Sequence, residues 1–208
     1  MTEVQALQID RKLLDKALTY DAYRALVDLL LEDDKTTGEN HSDAMIHYTK
    51  MNVHRMKRLD KRTELKDELV KKLQEVDREM VWLVLTEAWC GDAAQLIPVI
   101  QKMADSTDKI ATSYILRDQN LEIMDQFLTN GRSRSIPKLI CLDADSLEVL
   151  GSWGPRPEIT QEFYQTLKND PEVSGEKAAE NLHKWYADDS TRSVQNEFLD
   201  ILDYWQGV

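Results

Sequence analysis

The stretch Val81-Trp82-Leu83-Val84-Leu85-Thr86-Glu87-Ala88-Trp89-Cys90-Gly91-Asp92-Ala93 decides how this chain folds. Its first five residues are apolar without a break, which predicts a short strand buried on both faces. The pattern from 91 to 104 is helical, with Pro98 inside and a kink expected there. Cys90 therefore falls where a strand hands over to a helix N-terminus. The unpaired N–H groups and positive dipole end at such a junction predict a stabilised thiolate and a site for sulfur chemistry. Yet Ala93, three residues on, offers no sulfur for a disulfide with Cys90.

The rest of the chain extends this unit in both directions. Residues 11–31 show helical spacing with a break near 19–21, where Asp21 is expected to cap a second segment. Residues 32–39, which include Thr36-Thr37-Gly38, read as a loop. Ser42 is placed to cap a helix running from Asp43 to about Leu59. Residues 64–76 carry Leu65, Leu69, Leu73 and Val76 on one helical face. Downstream, 110–116 reads as a second strand, 120–128 as a helix closed by Asn130-Gly131, and 138–142 as a third strand. A turn at Asp143-Ala144-Asp145 leads into a fourth strand at 148–153, forming a hairpin. Residues 157–167 read as a helix, 169–175 as a polar linker, and 176–205 as one long helix with a broad apolar face.

Composition bounds the function. The 208 residues carry a formal net charge of −12, which excludes nucleic acid as a general partner, because phosphate binding needs a cationic surface. No apolar stretch is long enough to span a membrane. Residues 1–5 lack the pattern of a secretory signal, and two distant cysteines do not make a disulfide framework. A cytoplasmic location is expected, which makes the sequon at Asn40 a chance match. His47 and His54 are too far apart to ligate one metal by themselves. The basic run within 50–62 reads as a solvated helix face, with an anion-binding patch as the alternative.

The order of elements, with a cysteine at the first strand-to-helix junction, resembles the thioredoxin-like superfamily. Glu87-Ala88-Trp89-Cys90-Gly91-Asp92-Ala93 resembles the family's tryptophan–cysteine–glycine–X–cysteine site, in a variant with a single active-site cysteine. Pro98 stands eight residues after Cys90, where thioredoxins carry a helix-bending proline, and Ile136-Pro137 resembles their cis-proline loop. The resemblance implies an α/β thioredoxin-like fold, a central mixed four-stranded sheet flanked by helices, with helical extensions at both ends. The expected organisation is an N-terminal extension over 1–79, a core over 80–169 and a C-terminal extension over 170–208.

The resemblance also implies a site. Cys90 would be the nucleophile, with Trp89, Gly91, Asp92, Ile136 and Pro137 binding substrate. Arg132 and Arg134, in the loop before Pro137, are candidates to stabilise the thiolate or a substrate carboxylate. Asp92 favours the helix N-terminus but opposes a neighbouring thiolate. Two groups of the family are missing: Ala93 replaces the resolving cysteine, and Val84 stands six residues before Cys90, where thioredoxins carry a buried acid. Cys141, inside an apolar strand, is expected to be a small buried hydrophobe.

The leading expectation is a monothiol thiol–disulfide oxidoreductase acting on a protein or small-molecule disulfide. Its mixed disulfide would be resolved by an external thiol, glutathione or another low-molecular-weight thiol, with no metal or organic cofactor. The protein would be a monomer or a homodimer. The alternative is a non-catalytic thioredoxin-fold module for protein binding or redox sensing.

Overall fold

A computed structural model describes residues 9–207. The first five residues, read above for targeting, lie outside this range. β1 (Met80–Thr86) is buried along its whole length. It pairs in parallel with β2 (Ile110–Leu116) and antiparallel with β3 (Lys138–Asp143), and β3 pairs antiparallel with β4 (Val149–Trp153). The strand order β2-β1-β3-β4 makes a mixed four-stranded sheet. A register shift at Cys141/Leu142 offsets the hairpin. Its turn is held by Asp143, whose Oδ1 accepts from the N–H groups of Asp145 and Ser146.

Helices surround the sheet, so the fold is α/β. Ahead of β1 come α1 (Arg11–Lys16), α2 (Tyr20–Glu32), α3 (Asp43–Arg62) and α4 (Asp67–Gln74). The expected break after α1 is present, but Thr19 rather than Asp21 caps α2, its hydroxyl accepting from Ala22 N–H. At this break Leu18 and Tyr114 exchange backbone hydrogen bonds of 2.8 Å, which ties the N-terminal segment to the free edge of β2. Leu69 and Leu73 are fully buried, yet α4 is shorter than the apolar spacing of 64–76 suggests.

Helix α5 (Gly91–Ala104) follows β1, and α3 packs along it. The expected helix over 120–128 is a correction: only a 3-10 turn at Arg117–Gln119 and α6 (Leu121–Met124) form. The backbone then closes a bridge between Thr129 and Ser133, and that pairing competes with helical continuation. Helix α7 (Glu158–Asn169) follows the hairpin.

The long helix expected over 176–205 is also corrected. It divides into α8 (Gly175–Asp189) and α9 (Arg192–Gln206). Ser190 and Thr191, both at positive φ, form the elbow. The Asp189 carboxylate accepts from Ser193 N–H and Oγ–H, which satisfies free donors of a new helix start instead of continuing the old one.

Helix α9 is anchored by aromatic packing. Trp82 of β1 lies 5.3 Å from the Phe198 ring and 5.9 Å from Trp205, centroid to centroid. Gly151 stands across β3 from Trp82, and a Cβ there would come within 2.2 Å of the Trp205 indole nitrogen. Only a residue without a side chain lets the indole lie on the strand. No helix among the described residues is long and apolar enough to cross a membrane.

Candidate functional site

The segment Glu87–Cys90 is held by the helices that precede the sheet. Ala88 N–H donates to Thr37 Oγ1 at 2.8 Å, and Ala88 carbonyl accepts from Asn52 Nδ2 at 2.8 Å. Thr36 and Thr49 share a buried hydroxyl contact of 2.6 Å that ties this strap to α3. Gly38, at φ +78°, lets the strap pass close to Asp118 and Trp89. Trp89 is half-buried, with the Arg117 guanidinium 5.0 Å from its ring centroid.

Cys90 occupies the N-cap of α5, as its place in the sequence suggests. Its Sγ accepts from Ala93 N–H at 3.5 Å and donates to the Ile136 carbonyl at 3.3 Å. The Ile136–Pro137 peptide is cis, and both residues are buried. Cys90, Ile136 and Pro137 are therefore brought together.

The state of the thiol differs from the sequence expectation. Cys90 is 9% exposed, and burial, reinforced by the Asp92 carboxylate, pushes its thiol up to about 12. The N–H groups of Ala93 and Asp92 and the Arg156 charge act in the other direction but do not prevail. Desolvation disfavours a thiolate, and the Ile136 carbonyl accepts a hydrogen bond only from the protonated sulfur. A helix N-terminus lowers a cysteine pKa where water can reach the sulfur; here the cover outweighs it.

The C-terminal half packs on the two residues that follow Cys90. Arg156, in the loop before α7, grips Asp92 with two hydrogen bonds, at 2.8 and 2.5 Å, and both side chains are largely buried. Tyr186 of α8 donates its hydroxyl to Asp92 Oδ1 at 2.8 Å. The His183 ring lies on Gly91, where a Cβ would sit 2.6 Å from Cε1. His183 Nδ1 is 3.4 Å from Gln95 Nε2. Burial, with Arg55 and Arg156 nearby, pushes the imidazole down to about 4, so it is neutral at ordinary pH.

Arg134 does not reach the thiol. It is exposed and forms a two-bond pair with Asp125 at 2.6 and 2.7 Å. Arg132 is exposed in the same loop. The cation facing Cys90 is Arg156. Val84 is fully buried in β1, but an acid does lie close by in the chain: Glu87 is fully buried, Oε1 accepting from Asp118 N–H at 2.9 Å and Oε2 without a hydrogen-bond partner among the described residues. Burial raises its pKa above the ordinary carboxyl range. Cys141 is fully buried beside Met80, and both cysteines are free. Among the described residues, no group of three or more His, Cys, Asp or Glu could hold a metal ion.

A family model described as Thioredoxin matches residues 38–168, more than half of the 208. The chain belongs to the thioredoxin family. This thioredoxin-family chain is similar to the crystal structure of a protein of unknown function from Pseudomonas aeruginosa. That match has 18% identity and a TM-score of 0.60, covering 92% of this chain and 95% of the other. It is also similar to an HIV epitope-scaffold at 17% identity and TM-score 0.59, covering 95% and 97% of the two chains. At these identities the likeness concerns the fold. Comparison with curated proteins finds no significant match.

Sequence reasoning missed most residues that surround the thioredoxin-family cysteine. Thr37, Asn52, Arg156, His183 and Tyr186 lie 38 to 96 positions from Cys90 in sequence. They carry no motif of their own. Arg156, set between Pro155 and Pro157, offered the one local signal: a charged residue in a stiff loop that follows the hairpin.

Proposed function

We propose that this thioredoxin-family protein works as a non-catalytic module that binds a protein partner, in a cytoplasmic setting that keeps both of its cysteines reduced. The observation that carries this reading is the thiol itself, buried, bonded through its proton to Ile136, and pushed up to about 12. At neutral pH a thiol held in this way stays protonated. Thiol–disulfide exchange requires the thiolate. The lack of a second sulfur at Ala93 and the Asp92 carboxylate beside Cys90 support the same reading.

A second reading keeps one specific support. Sγ stands at the N-cap of α5 against the Ile136 carbonyl, the arrangement a monothiol oxidoreductase resolved by glutathione would use. Glutathione-coupled reduction of a small disulfide separates the two. The binding-module reading expects no turnover above that of the Cys90→Ser variant, and partner capture that survives this substitution. Turnover that depends on Cys90 would overturn it.

A further inference from the structure

Helices α8 and α9 have the same length, 15 residues, but are held very differently. Helix α9 buries Val194, Gln195, Phe198, Leu202 and Trp205. Its Asp203 pairs with Lys72 at 2.6 Å, and its Gln195 binds the backbone of both Glu64 and Lys66. Helix α8 buries only Ala178, Leu182 and Tyr186. Its outer ring, Trp185, stacks on Phe163 of the neighbouring α7 at 6.2 Å.

What α8 does cover is the start of α5. His183 sits on Gly91, and Tyr186 binds Asp92. The N-terminal end of α8 joins the molecule through irregular polar chain, and its C-terminal end through the two-residue elbow whose bonds tie Asp189 to Ser193 of α9. Residues 170–174 are mostly exposed, and Ser190 and Thr191 sit in the left-handed region at φ 52° and 65°, unfavourable for the β-branched Thr191. A helix with few buried residues, an exposed lead-in and an elbow that ties it to a firmly seated neighbour is built to open locally about that elbow.

We propose that α8 is a hinged cap: it lifts from the α5 N-terminus while α9 stays seated, and this motion controls access to Cys90. Lifting α8 removes the His183 ring and the Tyr186 hydroxyl together. Water then reaches the sulfur, while the Asp92 and Ala93 N–H groups and Arg156 remain to favour a thiolate. The cap concerns who can reach the thiol and goes beyond the question of turnover, so a protein without oxidoreductase activity leaves it standing.

The test is alkylation of the full chain by iodoacetamide at pH 8, with mass spectrometry scoring Cys90 and Cys141 separately. Cys141 is fully buried in β3 and reports global opening. In Gly91→Ala the new methyl meets the His183 ring; in Tyr186→Phe the hydroxyl bond to Asp92 is lost. The expected result is at least a tenfold faster reaction at Cys90 in either variant, with Cys141 unchanged. Hydrogen exchange should quicken across 176–189 and not across 193–205. Three results would overturn the cap: Cys90 unaffected in both variants, Cys90 and Cys141 accelerating together, or a parent Cys90 already as reactive as free cysteine. Either variant alone suffices should the other fail to fold.

Discussion

Asp92 is the residue on which the site turns. It takes two hydrogen bonds from Arg156 and one from Tyr186, so it joins three segments at one carboxylate. Breaking a buried pair leaves an uncompensated charge, and Asp92→Asn is expected to destabilise the protein by about 3–5 kcal/mol, read as a lower urea midpoint. The same substitution removes an anion that raises the Cys90 pKa, so the thiol of the folded variant should titrate lower, followed by thiolate absorbance. A variant with an unchanged thiol pKa would show that burial alone sets it. Asn52 acts through geometry. Asn52→Ala strands the Ala88 carbonyl and is expected to cost about 1–3 kcal/mol in the same measurement.

Among the elements, the β1–α5 junction was readable in advance because its pattern is local. An unbroken apolar run, a cysteine N-cap and a helical period all lie within 81–104. Strands β2 and β3 were readable for the same reason. The region 120–128 misled because its apolar spacing suits a helix, whereas the Thr129–Ser133 bridge is a pairing across a turn. Residues 176–205 misled likewise: the apolar face runs through the elbow, and only the Asp189–Ser193 bonds reveal the stop. Helix α9 should prove the more important for stability. Phe198→Ala removes a ring packed on Trp82, Trp153 and Trp205 and is expected to cost about 3–5 kcal/mol by urea denaturation. A loss under 1 kcal/mol would mean that α9 does not anchor the C-terminal half.

For the whole molecule, buried titratable groups set the pH limits of stability. Cys90 and Cys141 are both pushed from 9.0 to about 12, so the folded state holds their protons longer than the unfolded chain does. Stability from these groups is fully present below pH 9 and is lost as pH rises towards 12. Cys90→Ser should flatten part of that alkaline loss, measured as urea midpoints at pH 8 and 10.5. His183 works at the acid end. Its pKa falls from 6.5 to about 4, so the stability it contributes is present above pH 6.5 and lost as pH drops through 4. Charging that ring beside Arg55 and Arg156 should weaken the α8 contact, and a His183→Gln variant should lose less stability between pH 6.5 and 4 than the parent.

Order along the chain was enough to specify the strand-to-helix junction, the placing of Cys90 at a helix N-cap, the hairpin and the α/β class. Those follow from hydrophobic period and capping, which act between near neighbours. Whether the sulfur is ionised depended on how much water reaches it, and that depends on segments far apart in sequence, among them the Ile136 carbonyl at the sulfur and Arg156, His183 and Tyr186 packed on Gly91 and Asp92. Desolvation is a property of everything packed around an atom, so a motif that predicts a reactive thiolate here frames a protonated one.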